Sequence, residues 1–185
     1  GAIAYQTIAR VEVHGPLNAR IVEGKDLVAD LLPPPEFIVE SSLNVHQMLL
    51  EDDPAALAKL IEHGKQLRTD YETRHEYWMK TLEPGALKDA IAANIHRPAI
   101  EYFDLRDRVL IPALLAGNRD EVRTTELRLE NLYDEHHRGV DGVVALANER
   151  VANDEVAASD VIAWRVGMLV VIVALRALMS YLMTI

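Results

Sequence analysis

Residues 161–185 read VIAWRVGMLVVIVALRALMSYLMTI, and Arg165 and Arg176 are the only charged side chains among them. A run of about 20 apolar residues is long enough to cross the ~30 Å hydrocarbon core of a membrane as a helix. Arg176 stands in the middle of the run, where an arginine costs about 2.5–3.5 kcal/mol unless it reaches the interface or pairs with another span. The alternative is a buried C-terminal helix of a soluble protein, which needs a larger core than the rest of the chain offers. We therefore predict a transmembrane span over residues 161–185, preceded by one domain over residues 1–160.

The charge of the chain is concentrated in this first domain. The net charge of the 185 residues is −10. Because the C-terminal run contributes two arginines and no acid, residues 1–160 carry −12. A surface of this sign repels nucleic acid and anionic lipid headgroups, so neither is expected as a ligand. The absence of cysteine excludes disulfides and thiolate metal sites.

The first predicted helix contains a proline break. It runs from about Ile3 to Leu32 and meets three consecutive prolines at 33–35. Prolines lack the amide donor and crowd the preceding turn, so they interrupt an α-helix. Pro35 is nevertheless suited to the first turn of a new helix, predicted over Glu36–Glu51. Helix one is therefore expected to be kinked at the prolines.

Three further helices follow. Asp53 and Pro54 are a cap and a first-turn proline that open helix two, which ends near Leu82. Helix three is predicted over residues 86–116, with Pro98 and Pro112 bending it, and helix four begins near residue 119. Residues spaced three and four apart mark the inward faces: Leu57, Leu60, Gly64, Leu67, Tyr71, Trp78 and Leu82 in helix two; Leu87, Ile91, Ile95, Tyr102, Leu105 and Val109 in helix three; Leu129, Leu132, Val140, Val143, Ala147 and Val151 in helix four.

These elements predict an all-α fold. Short turns make successive helices antiparallel, which gives an up-down-up-down four-helix bundle. Helices two and three are each about 30 residues, or ~45 Å, long. The first and last helices are longer, so their extra length is expected to form a two-helix stalk. The last helix then continues into the transmembrane span.

One segment resembles a known family. Residues 11–43 read VEVHGPLNARIVEGKDLVADLLPPPEFIVESSL, in which a GKDLxAD run leads into LPPPE and then an apolar helix. This is similar to the N-terminal part of the sensor domain in a group of bacterial methyl-accepting chemotaxis receptors. The resemblance implies a periplasmic four-helix-bundle sensor, with residues 1–160 in the periplasm, a homodimeric state, an inner-membrane span and a cytoplasmic signalling domain after Ile185. Related bundles also precede histidine kinases and cyclic-dinucleotide enzymes, so the output and the ligand stay open.

The heights of the helices predict where a ligand binds. When the rise of each helix is counted residue by residue from its turn, tyrosines and cations from several helices lie at one level beside the proline break. Guanidinium groups bind carboxylates, and tyrosine supplies an apolar wall with a polar tip, so this layer indicates a site for a small organic anion. The plainer interpretation is that these arginines lie on solvated faces and pair with nearby acids. The predicted ligand-binding residues are Glu36, Phe37, Arg68, Tyr71, Arg74, His75, Asn94, Arg97, Tyr133 and His137.

A different class of function is also compatible with the sequence. Glu72 and His75 form an ExxH pair, and Asp134 and His137 form a DxxH pair. With carboxylates from Glu36, Glu40 and Glu101, these pairs resemble the ligands of a di-iron carboxylate bundle. The pattern is weak, because three-residue spacings are common in a chain with 29 acids. No nucleophile constellation, phosphate loop or paired catalytic acid is present, so we predict a protein that is not an enzyme and has no cofactor, catalytic residue or metal site.

The dimer has its own sequence evidence. Helix one has apolar side chains at Ile3, Ile8, Val11 and Ile21. Together they form more apolar surface than helix four alone can cover in a two-helix stalk. We therefore expect helix one to pack against a second copy of the chain.

Overall fold

The computed structural model describes the backbone of residues 16–31 and 36–183, and their side chains except those of Pro16, Glu36 and Phe37. Apart from short connections this part of the chain is helical, and it contains no strand, which confirms the all-α prediction. Its helices are α1 Pro16–Leu31, α2 Glu36–Leu50, α3 Pro54–Thr81, α4 over residues 86–115 and α5 Arg119–Leu182. The start of helix one at Ile3 and the kink at the prolines lie outside the described residues.

Local chemistry sets the boundaries of α3 and α4. The Asp53 carboxylate accepts a hydrogen bond from the backbone N–H of Ala56 at 3.0 Å, and Pro54 occupies the first turn of α3. At the end of α4, Gly117 has a φ of 66°, in the left-handed region that favours glycine. The N–H of Asn118 then donates to Ala113 O at 2.9 Å. These are the residues from which the sequence predicted the two boundaries.

The prolines of α4, which we expected to bend it, are accompanied by wider helical turns. Pro98 and Pro112 are each preceded by a π-helical turn, Ile91–His96 and Arg106–Leu110. At the ends of these turns, the N–H of Arg97 donates to Ala92 O and the N–H of Ile111 donates to Arg106 O. Both bonds reach five residues back, a wider turn that accommodates a residue without an amide donor.

The π turns also shift the inward face of α4. A π turn contains an additional residue, so positions after it rotate relative to a 3.6-residue repeat. Val109, expected inward, is only partly buried, whereas Leu110 is fully buried. Arg106, which the predicted inward set did not include, is fully buried as well. Val109 still packs against the core, but the predicted inward set for α4 did not include the fully buried Leu110.

The chain forms two compact units. The central unit is residues 27–146, and the terminal unit is residues 1–26 together with 147–185. Four helices supply the apolar core of the central unit, which contains Ile38, Val45, Tyr71, Ala99, Tyr102, Phe103, Leu105, Leu110 and Leu129. The predicted division of the chain at residue 160 concerns the membrane and stays a prediction.

Ion pairs join α1 and α5 in the terminal unit. Glu23 accepts from Arg150 at 2.5 Å, and Arg20 pairs with Asp154 at 3.1 Å. Lys25 pairs with Glu155 at 2.7 Å. In this unit the two helices therefore face each other through complementary charges.

The last part of α5 is apolar and uncovered. It contains an 18-residue window with a mean hydropathy of 2.1, none of which is buried. By length and composition, α5 is able to cross a membrane. Trp164 is 65% exposed and Val173 is 65% exposed. Such a surface of large apolar side chains is unusual for a helix in water.

Candidate functional site

A close approach of α5 to α4 positions the central residues of the candidate site. A Cβ at Gly139 would lie 1.9 Å from the carbonyl oxygen of Asn94, so only glycine fits here. Asn94 lies in the first π turn, four residues before Pro98. One turn earlier on α5, this packing brings His136 against the same π turn.

His136 is a buried histidine with one ring nitrogen available. Its side chain is 1% exposed, and Nδ1 donates to the carbonyl oxygen of Ile95 at 3.0 Å. Nε2 then carries the lone pair, and it has no hydrogen-bond partner among the described residues. Burial lowers the pKa of His136 to about 4, although the bond to Ile95 opposes this shift. At neutral pH the ring is therefore an uncharged acceptor.

Two further histidines lie nearby on α3 and α4. His75 and His96 stack with ring centroids 3.5 Å apart and an interplanar angle of 7°. Burial, followed by the neighbouring His96, lowers the pKa of His75 to about 4, and burial lowers the pKa of His96. Tyr71 stacks on His96 at 5.9 Å and meets His136 edge-on at 6.3 Å. Tyr71 thus contacts two imidazoles that are neutral at neutral pH, His96 and His136, and His75 stacks on His96.

A cavity of about 50 Å³ opens beside this group. We call it the histidine cavity; it is lined by Leu27, Asp30, Leu31, Tyr71, Arg74, His75, Trp78, Ile91, Ile95 and His136. Its wall is almost entirely apolar, although Asp30, Arg74 and His136 are among the residues that line it. Apolar walls with a few placed polar groups are typical of small-molecule sites.

Arg74 is the cation of the histidine cavity and already has a partner. Its guanidinium donates to Asp30, which also accepts from Trp78 Nε1 at 2.9 Å. The same guanidinium lies over the rings of Tyr77 at 4.9 Å and Trp78 at 5.7 Å. An incoming carboxylate would bind Arg74 by replacing Asp30.

A larger cavity of about 300 Å³ lies between α2, α4 and α5. We call it the acidic cavity; it is lined by Ser42, Val45, His46, Tyr102, Glu126, Leu129, Glu130, Tyr133 and Asp134. Tyr133 stacks on His137 at 6.3 Å, and burial raises the pKa of Tyr102 to about 12. Three carboxylates against one imidazole favour a cation rather than an anion in this cavity.

The structure separates the residues that the sequence placed in one layer. Tyr71, Arg74 and His75 line the histidine cavity, whereas Tyr133 lines the acidic cavity. Asn94 lines a third cavity, of about 210 Å³, with residues of α5. His137 is exposed. Glu36 begins α2, but its side chain and that of Phe37 lie outside the described residues.

Two predicted cations are paired with several carboxylates. Arg68 donates to Glu72 at 2.9 Å, to Asp104 at 2.8 Å and to Asp107 at 3.1 Å. Arg97 donates to Glu101 at 3.1 Å and to Glu135. These contacts match the plainer interpretation of paired surface arginines. They leave Arg74 as the cation beside the histidine cavity.

Sequence reasoning missed the most deeply buried cation. Arg106 is fully buried; Nη1 donates to Ser41 Oγ at 2.9 Å and Nε to Asp107 at 2.7 Å. Nη2 has no partner within the described part of the chain. The available signal was that Arg106 stands four residues after Tyr102, on the same face of α4. His136 was the second omission, because either it or His137 satisfied the periodicity of helix four.

Among the described side chains, those of the di-iron alternative do not form a metal-binding group. In the described ranges, the one group of three or more metal-capable side chains is His46, Glu126 and Glu130. Neither the Glu72–His75 pair nor the Asp134–His137 pair contributes to it.

No protein-family model, curated protein or solved structure matches this chain.

Proposed function

We propose that this chain is the extracytoplasmic sensor of a transmembrane chemoreceptor, which binds a small organic acid and transmits the change along α5. The observation that carries the proposal is the composition of one helix. α5 contributes His136 to the wall of a cavity and also contains an exposed apolar window of mean hydropathy 2.1. A single helix with both features is suited to couple a binding site to a membrane.

The proposed architecture is an up-down-up-down four-helix bundle with residues 161–185 in the inner membrane and residues 1–160 in the periplasm. Its support is the short connections at 51–53, 82–85 and 116–118, because short loops make neighbouring helices antiparallel. The resemblance of residues 11–43 to chemoreceptor sensors favours the periplasmic side and a homodimer.

The proposed ligand is a short-chain carboxylate bound in the histidine cavity. Its carboxylate would replace Asp30 on Arg74, since a guanidinium binds a carboxylate through two parallel hydrogen bonds. The apolar walls formed by Leu27 and Ile91 would cover its carbon chain, and His136 Nε2 would accept from a hydroxyl group where the acid has one. The small volume of the cavity favours acids of a few carbon atoms.

Calorimetry of the full chain in detergent with a panel of short carboxylates tests this proposal. Arg74→Ala should weaken binding of a hit about tenfold to hundredfold, because a hydrogen bond to a charged group contributes about 1.5–3 kcal/mol. Asp30→Asn should strengthen binding, because it removes the competing charge and keeps an acceptor for Trp78. Arg97→Ala is the matched control, since Arg97 is also paired with acids but does not line this cavity. Absence of binding across the panel, or equal affinity in the Arg74 and Arg97 variants, would contradict the proposal.

A further inference from the structure

A second site lies at the edge of the acidic cavity, where α2 and α5 meet. His46 projects from α2, and Glu126 and Glu130 project from α5. One ring nitrogen of His46 and one carboxylate oxygen of each glutamate lie within 4.8 Å of one another. Glu126 and Glu130 are four residues apart, so they lie on one face of α5.

One ring nitrogen of the histidine in this group is held by the backbone. His46 Nδ1 donates to the carbonyl oxygen of Ser42 at 2.8 Å, because a carbonyl can only accept. Nε2 is then unprotonated in the neutral ring and available to a metal ion. Metal-binding histidines commonly have their second nitrogen fixed in this way by a backbone carbonyl.

The negative charge of the group also favours binding of a cation. Two carboxylates at this separation repel each other, and like charges four residues apart destabilise a helix. Neither Glu126 nor Glu130 forms an ion pair with any described residue, whereas most acids near α3 and α4 pair with arginine or lysine. A bound cation would remove this repulsion.

We infer that His46, Glu126 and Glu130 form a binding site for a divalent first-row transition metal ion, with Zn²⁺ as its simplest occupant. The imidazole favours such ions over Ca²⁺ and Mg²⁺, which prefer all-oxygen ligands. Three protein ligands leave a position of a four-coordinate Zn²⁺ for water or an exogenous donor. A metal at this place would join α2 to α5, the helix that the proposed function assigns to signal transmission, but the site itself does not depend on that function.

The test is titration of the chelator-treated full chain, in detergent, with Zn²⁺ and separately with Co²⁺. We expect one ion per chain, and Co²⁺ visible absorption typical of mixed nitrogen and oxygen ligands. His46→Ala and Glu130→Gln should each weaken Zn²⁺ binding at least tenfold. His63→Ala is the matched control, because His63 is an exposed histidine beside a single carboxylate, Glu40, at 3.5 Å, and it should bind Zn²⁺ like the parent chain.

Thermal unfolding separates loss of the site from loss of the fold. Without metal, Glu130→Gln should unfold at the same or a higher temperature than the parent, because it removes like-charge repulsion, and Zn²⁺ should no longer raise that temperature. Parent-like Zn²⁺ affinity in both site variants would overturn the inference. So would an equal loss in His63→Ala, or binding of Ca²⁺ as tight as that of Zn²⁺.

Discussion

The two ends of α5 have opposite surface patterns although they belong to one helix. From Arg119 to Val151, buried residues recur along one stripe, including His136, Val140 and Val143, and most of the exposed positions are polar. From residue 169 to residue 183, every residue is exposed and nearly all are apolar. A stripe forms where protein covers one face of a helix, and an all-round apolar surface forms where the surroundings are hydrocarbon. The difference shows that the second part of α5 has the length and composition of a membrane-spanning helix, and the first part does not.

The largest expected effect comes from removing the apolar end. A chain that stops after Asp160 should stay in solution without detergent, whereas the full chain should require detergent or lipid, because an exposed run of about 20 apolar residues is insoluble in water. Ultracentrifugation of detergent-free extracts measures the fraction in solution. If the shortened chain sediments as completely as the full one, the assignment of residues 161–185 to a membrane is wrong.

The first part of α5, from Arg119 to Val151, is sensitive to packing. Gly139→Ala places a methyl group 1.9 Å from Asn94 O, and overpacking of this kind costs about 1–3 kcal/mol of unfolding free energy. Gly142→Ala is the matched control, because nothing lies within 4 Å of its Cβ position. Alanine there should raise the unfolding free energy by about 0.5–1 kcal/mol through its helix propensity. Thermal unfolding followed by circular dichroism compares the two variants, and equal effects would show that α5 does not approach α4 closely at Asn94.

The buried His136, in this first part of α5, predicts that the unfolding free energy depends on pH. The pKa of His136 is lowered to about 4 in the folded chain, against about 6.5 when unfolded. The unfolded chain therefore gains its proton first, so the contribution to stability is complete above pH 6.5 and decreases as the pH falls towards 4. Between pH 7.5 and pH 5, His136 alone should remove about 2 kcal/mol of unfolding free energy.

The lowered pKa values of His75 and His96 act in the same direction. Replacing His136→Gln should flatten this part of the pH profile, because glutamine can donate to Ile95 O without titrating. Thermal unfolding midpoints measured from pH 5 to 7.5 give the comparison. An unchanged slope in the variant would show that another group dominates.

The helices were predictable because their boundaries depend on local chemistry. Asp53, Pro54 and Gly117 act within one turn, so the sequence alone placed α3, α4 and the start of α5 within a residue or two of the observed bounds. The π turns were not predictable from a repeat of 3.6 residues, since they arise from the way Pro98 and Pro112 are accommodated. The shift of the fully buried position from Val109 to Leu110 follows from them.

The candidate site was only partly predictable, because height along a helix does not determine which face a residue occupies. Tyr71, Arg74 and His75 share a cavity because they also share a face of α3. Tyr133 lies at a similar height but lines the acidic cavity, and His136 takes the inward position beside His75. The pairing of charges could not be predicted either. Residue types do not show that Arg74 donates to Asp30 or that Arg68 donates to three acids.

The most direct test of the central claim, that α5 is in water at one end and in lipid at the other, uses the absence of native cysteine. Single cysteines replace Ser159 and Ala174 in the full chain, which is reconstituted into lipid nanodiscs and treated with a water-soluble maleimide. The account predicts rapid labelling at position 159, and labelling at position 174 only after the lipid is dissolved and the chain denatured. Equal and rapid labelling at both positions in intact nanodiscs would contradict it.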